Sequence, residues 1–371
     1  MVEYTYLLFF YGDGFVMKFK IICTACLLLI IMNITGCNTV DKKRIYIGVA
    51  MPTQLRQRWN QDGANMERKL QAQGYKVDLQ FADNNFELQI NQIEQMIDEG
   101  CKVIIITAVD ATALSPVLDK AKDAGVKIIS YDRLIMNTDA VDYYATFDNL
   151  AVGTIQGEYI EEKLKLKEGK GTYNIEITAG SLDDNNTIFL FEGAMEVLRP
   201  YIQNGQLVVQ SGQDSLKQCA IPHWREEKAK ARMLNILETY YKDKHLDVAL
   251  CANDSTAFGV VGALLDSGYK TNIKPMPLIT GQDVDKKNLK LIINDEQTMS
   301  IFKDTRTLAD TVVKMVDAIV AGKEPETNDI GNYNNGVKIV PSFLVRPQFV
   351  DKSNYKELIF ESGYYNENEI Q

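Results

Sequence analysis

VIIITAVDATALSPVLDKAKDAGVKIIS, residues 103–130, joins two kinds of hydrophobic pattern. Val103 to Ile106 is an unbroken β-branched run, of the sort found in strands covered on both faces. Leu114 to Gly125 then reads as an amphipathic helix stopped by glycine, and Val126 to Ser130 as the next strand. Strand, crossover helix and strand is the unit from which parallel sheets are built, because two parallel strands cannot be joined by a tight turn.

The same alternation extends both ways. Upstream, Ile45 to Val49 and Lys76 to Phe81 read as strands, and Trp59 to Gly74 as a helix. Glu87 to Gly100 is a second helix, with Ile90, Ile93, Met96 and Ile97 on one face. A second series starts after Phe147-Asp148-Asn149, with helices at Leu150–Leu164, Thr187–Leu198, Arg225–Tyr241 and Ser255–Ser267. Its strands fall at Tyr173–Ile177, Leu207–Gln210, Val248–Cys251 and Leu278–Thr280. The reading is α/β, with two Rossmann-like units in tandem. The late elements break the simple tandem: a strand at Ser300–Phe302, a long helix at Thr307–Ala321, and a closing strand at Val337–Val340 and the Pro341 region. Such elements return to the first unit when a chain crosses between lobes more than once. The expected division is 44–147 plus 304–329 for the first lobe and 148–303 plus 330–360 for the second.

A length of 371 residues accommodates two such units. With 40 basic and 50 acidic residues the net charge is −10, which disfavours a nucleic-acid partner. Only two histidines, His223 and His245, are present, so a histidine metal cage or a histidine-driven acid/base centre has little material. Cys101, Cys219 and Cys251 read as small buried residues, with a Cys219–Cys251 disulfide left open.

The N-terminus carries an address. Met17-Lys18-Phe19-Lys20 is a basic head on the apolar run Ile21 to Met32, closed by Ile34-Thr35-Gly36-Cys37. The run is shorter than the ~20 residues of a spanning helix, so residues 1–36 read as a signal peptide with a lipobox, a permanent transmembrane anchor being the weaker alternative. Cleavage before Cys37 and lipidation of its sulfur would follow, with 37–43 as a tether and residues 1–16 as an over-extended start. Cys23-x-x-Cys26 lies inside the apolar run and reads as part of it, not as a redox motif.

In open parallel sheets ligands bind beyond the carboxyl ends of the strands. Arg56-Gln57-Arg58-Trp59 follows the first strand, Asp110 the third and Tyr131-Asp132-Arg133 the fourth. In the second unit Asp183-Asp184-Asn185-Asn186, Asn253-Asp254 and Gly281-Gln282-Asp283 hold the matching places, with Trp224 in a loop and Lys303 after the late strand. Amides, carboxylates and guanidinium groups bond the hydroxyl rim of a pyranose in pairs, and indole faces cover its C–H surfaces. Each piece also has an ordinary reading: Asn253-Asp254 and Asp184–Asn186 as helix caps, Arg56 and Arg58 as solvated surface, the tryptophans as core, Asp283 as a turn residue. No nucleotide-binding glycine motif, nucleophile elbow or zinc-protease motif is present.

The phrases Arg58-Trp59, Tyr131-Asp132-Arg133-Leu134-Ile135, Asp142 to Asn149, Asp184-Asn185-Asn186, Ser211-Gly212-Gln213, Gly281-Gln282-Asp283 and Ile301 to Arg306 resemble the type I periplasmic sugar-binding proteins. The resemblance runs from about Arg44 to Tyr355. It implies two lobes joined by three hinge strands, with an aldose in the cleft, no catalysis and no cofactor. Arg58, Trp59, Asp132 and Arg133 would line the first lobe's side; Asp184, Asn186, Trp224, Asn253 and Asp283 the second's; Lys303 would sit at a hinge. The loop Cys219 to Arg225 is unlike that of the relatives, and Asn253 fits the xylose-binding members. The implied role is a monomeric receptor handing sugar to the permease of an ABC importer. The alternative is a subunit presenting sugar to a membrane histidine kinase or chemoreceptor.

Overall fold

The computed structural model describes residues 41–370, which form one compact unit from Lys42 onward. The signal segment, the lipobox and Cys37 lie outside the described residues.

The first half of the chain lays down β1 (Tyr46–Met51), α1 (Gln57–Ala72), β2 (Lys76–Phe81), α2 (Phe86–Asp98), β3 (Val103–Ile106), α3 (Ser115–Asp123), β4 (Lys127–Tyr131) and β5 (Tyr143–Phe147). These strands and β11 (Ser342–Val345) make a six-stranded sheet in the order β11-β5-β4-β3-β1-β2, parallel throughout. Val103 to Ile106 is fully buried because helices cover both faces of the sheet, as its unbroken apolar run requires.

The second lobe begins with α4 (Asn149–Lys163) and continues through β6 (Tyr173–Thr178), α5 (Asn186–Gln203), β7 (Leu207–Val208), the short α6 (Leu216–Cys219), α7 (Glu226–Tyr240), β8 (Val248–Cys251), α8 (Asp254–Asp266), β9 (Leu278–Ile279), α9 (Lys286–Ile293) and β10 (Met299–Phe302). Its parallel sheet runs β7-β6-β8-β9, and a Gln282–Ile301 bridge carries it on to β10. The chain then returns through α10 (Thr305–Val320), whose Leu308, Val312 and Val316 enter the first lobe's core. It crosses once more between β11 and β12 (Gln348–Asp351), which pairs antiparallel with β10. Three crossings at 147–149, 302–305 and 345–348 therefore join the lobes, and the fold is the type I periplasmic binding protein fold.

Two expectations need correction. The closing strand is not Val337–Val340. The buried Asn335 accepts from the amides of Val337 and Lys338 and donates to the carbonyls of Ile135 and Thr138, which ties that segment into a loop. Pairing with β5 starts only at Pro341, which has no amide to give but whose carbonyl accepts from the Tyr144 amide. Nor does all of 330–360 belong to the second lobe. β11 is an edge strand of the first sheet, with Phe343 and Val345 packed on its core, and the chain rejoins the second lobe only at β12. Cys101, Cys219 and Cys251 are buried free thiols, so no disulfide links Cys219 to Cys251.

Candidate functional site

The carboxyl ends of both sheets face one cleft, with an empty volume of about 510 Å³. All ten residues expected from the sequence line it: Arg58, Trp59, Asp132, Arg133, Asp184, Asn186, Trp224, Asn253, Asp283 and Lys303. Arg56, Asn149, Leu190, Ser255, Gln282 and Asp285 line it too. Arg56 and Gln282 stand beside flagged positions. Asn149 opens α4 behind a hinge strand and Leu190 lies one helical turn past Asn186, so helical periodicity could have pointed to both.

On the first lobe, Arg58 leaves the opening turn of α1. Its Nε lies 3.3 Å from Asp62 Oδ2, its Nη1 3.1 Å from Asp283 Oδ1, and its Nη2 bonds Asp132. Burial works against this charge, but Asp132, Asp283 and Asp62 outweigh it and hold the guanidinium firmly protonated. Trp59 presents its ring to cations, with Arg58 at 4.7 Å and Arg133 at 5.6 Å from the centroid. Asp132 takes a left-handed conformation, φ 61°. That strain is held because its carbonyl accepts from Tyr144, Thr146 and Asn186 at once.

The second lobe answers across the cleft. Arg133 Nε lies 3.3 Å from Asp184 Oδ2 at an angle that leaves its N–H without an acceptor, while Nη1 donates to the Ala108 carbonyl at 3.0 Å. Burial raises Asp184 and Arg133 opposes it. Asn186 donates to the Asp132 carbonyl and accepts from Tyr144 and Asn149. Arg56 Nη2 donates to the His223 carbonyl at 3.0 Å. The helix-cap reading also holds for Asn253, whose side chain accepts from the Thr256 amide while its residue faces the cleft. Asp283 is caught between Arg58 and the buried Lys303, 3.1 Å away. Burial alone would raise it, but Lys303 and Arg58 bring it below the usual carboxylate range. Burial pushes Asp285 up to about 6, helped by Asp283.

Trp224 is mounted differently. It and His223 are both left-handed, at φ 56° and 53°. His223 is pinned by Ser181 Oγ on its amide and by Asp183 on its ring. The indole lies against Gly180, where any Cβ would overlap the ring and the Thr187 hydroxyl. The indole N–H and the Gln282 Oε1 are buried without partners.

Opposed lobes, three crossings and a polar cleft at the strand ends define a two-lobed solute-binding architecture. The chain matches the periplasmic binding protein domain over residues 47–324, and it belongs to that family. It is similar to the multiple sugar-binding periplasmic receptor ChvE of Rhizobium radiobacter, 48% identical over 88% of this chain and 92% of the relative. The D-xylose-binding periplasmic protein of Escherichia coli K12 is 33% identical over 95% of this chain and 100% of its own. Among solved structures, an ABC transporter solute-binding protein from Clostridium phytofermentans with bound β-D-glucose is 52% identical. It covers 88% of this chain and 100% of its own, with a TM-score of 0.84.

Proposed function

We propose that this protein is an exported receptor that captures a monosaccharide, an aldose such as xylose, glucose, galactose or arabinose, and releases it unchanged to an ABC importer. One observation carries the reading. The cleft sets four cationic side chains, Arg56, Arg58, Arg133 and Lys303, against four carboxylates, Asp132, Asp184, Asp283 and Asp285. Such a wall holds many directional donors and acceptors without a large net charge, which suits a neutral polyol better than an anion or a cation. Arg58, Asp132, Arg133, Asp184, Asn186, Asn253 and Asp283 would bond the hydroxyl rim, and Lys303 would anchor the hinge side. Trp59 and Trp224 would supply the flat walls.

Ligand contacts from both lobes stabilise the closed form because only that form makes both sets. Micromolar affinity corresponds to about −8 kcal/mol, within reach of several charge-assisted bonds. Among the described residues no helix is long and apolar enough to cross a membrane. A lipid on Cys37 is the proposed attachment to the outer face of the membrane. Calorimetry with D-xylose, D-glucose, D-galactose and L-arabinose tests the reading. Binding of at least one at micromolar concentration is expected; silence from all four at millimolar concentration overturns it.

A further inference from the structure

Asp62 does not line the cleft, is completely buried, and sits one helical turn beyond Arg58. Its Oδ2 lies 3.3 Å from Arg58 Nε, and its Oδ1 accepts from the Tyr131 hydroxyl at 2.5 Å. We propose that Asp62 is a positioning residue for the ligand site, gripping Arg58 from behind and setting, by one proton exchanged at the Asp62–Tyr131 contact, how strongly that guanidinium is drawn from the ligand. The proposal rests on the sugar-receptor reading.

The charge arithmetic around Arg58 motivates it. Arg58 from α1 and Lys303 beyond β10 face three carboxylates: Asp62 on α1, Asp132 beyond β4 and Asp283 beyond β9. Tyr131 on β4 and Tyr364 of the C-terminal segment complete the titratable groups around Asp62. Two cations against three carboxylates leave one negative charge in excess beside a carboxyl, Asp62, that is itself completely buried. A proton on Asp62 balances it. The Tyr131 hydroxyl serves either state, donating to the carboxylate or accepting from the carboxylic acid. Burial pushes Asp62 up to about 7, against the pull of Arg58 and the Tyr131 bond, so both states are populated near neutrality.

Ligand binding removes further water and favours the balanced, protonated form. Proton uptake therefore accompanies binding, and affinity falls as pH rises through the Asp62 titration. Asp62→Asn imitates the protonated acid, its carbonyl toward Arg58 and its amide toward Tyr131. Asp62→Leu removes the grip altogether.

Isothermal titration with D-glucose and D-xylose between about pH 6 and about pH 8.5 tests this on the wild type and both variants. The wild type is expected to weaken several-fold over that range. Asp62→Asn is expected to keep the low-pH affinity throughout, and Asp62→Leu to bind about tenfold more weakly at every pH. A sugar-free arm follows Trp59 emission against pH in a Trp224→Phe background, since the Arg58 guanidinium lies over that ring. Emission should titrate near neutrality and lose the transition in Asp62→Asn. If no aldose binds the wild type, the receptor reading fails and this arm alone decides the role of Asp62. A wild-type pH profile retained by Asp62→Asn in either arm, or wild-type affinity and emission in Asp62→Leu, overturns the proposal.

Discussion

The chain's two tryptophans stand on opposite walls of one cleft and are held in opposite ways. Trp59 rides the first turn of a regular helix, its ring near two guanidinium groups whose own partners are largely in place. Trp224 stands on two successive left-handed residues, against a glycine, with its indole N–H unpaired. Left-handed conformation at a residue with a side chain costs about 1–2 kcal/mol, so this loop persists only because contacts from elsewhere hold it. The first wall is a mostly paired electrostatic platform, in which Asp132 is strained but well held and only the Arg133 Nε–H is left over. The second is a strained surface with unmet hydrogen-bonding capacity, which on the receptor reading is where ligand discrimination would arise.

Breaking the platform should have the largest effect. Arg58→Ala leaves Asp62, Asp132 and Asp283 short of their shared cation. A loss of about 3–5 kcal/mol in stability is expected, with aldose binding reduced by about a hundredfold or more; thermal unfolding and calorimetry measure both. On the other wall, Gly180→Ala should push Trp224 out of place, at about 1–3 kcal/mol and about a tenfold loss of affinity. A variant that binds normally would mean that the indole does not touch the ligand.

The pH response separates two carboxylates of the second wall. Asp283 is lowered in the fold, so its ionisation stabilises the protein above the unfolded value of about 3.9 and that contribution is lost as acid protonates the folded group. Asp285 is raised, so it has the opposite sign: its ionisation lowers stability as pH rises from about 4 through about 6. In melting scans across pH, Asp285→Asn should gain stability at neutral pH relative to acid, and Asp283→Asn should lose it. The smallest effect is expected for Trp224→Phe, which deletes the unpaired N–H and strands no partner. Stability should fall by about 1 kcal/mol, from the ring volume lost in a buried site. A several-fold drop in affinity for one aldose but not another would show that this N–H reads a hydroxyl.

Most of the architecture was legible because it rests on local periodicity. Val103–Ile106 announces a doubly covered strand, and the alternation that follows leaves parallel sheets as the economical solution. The site residues were legible for the same reason: parallel strands deliver their next residues to one edge, so polar residues directly after apolar runs had to gather there. Where local pattern was weak, the reading slipped. β5, whose adjacent Tyr143 and Tyr144 face opposite sides of the sheet, the short α9, and the shift of the closing strand from Val337–Val340 to Ser342–Val345 depend on partners far away in the chain.

Amino-acid order alone therefore determined an α/β chain with two parallel sheets and a polar, tryptophan-bearing cleft, since those follow from periodicity and from the direction in which strands run. Tertiary structure alone decided which carboxylate shares which cation, why Asp62 matters although it is hidden, and how Trp224 is held. Apart from the Arg58–Asp62 pair, which one helical turn sets, charge pairing, burial and left-handed strain are properties of atoms brought together from distant parts of the chain.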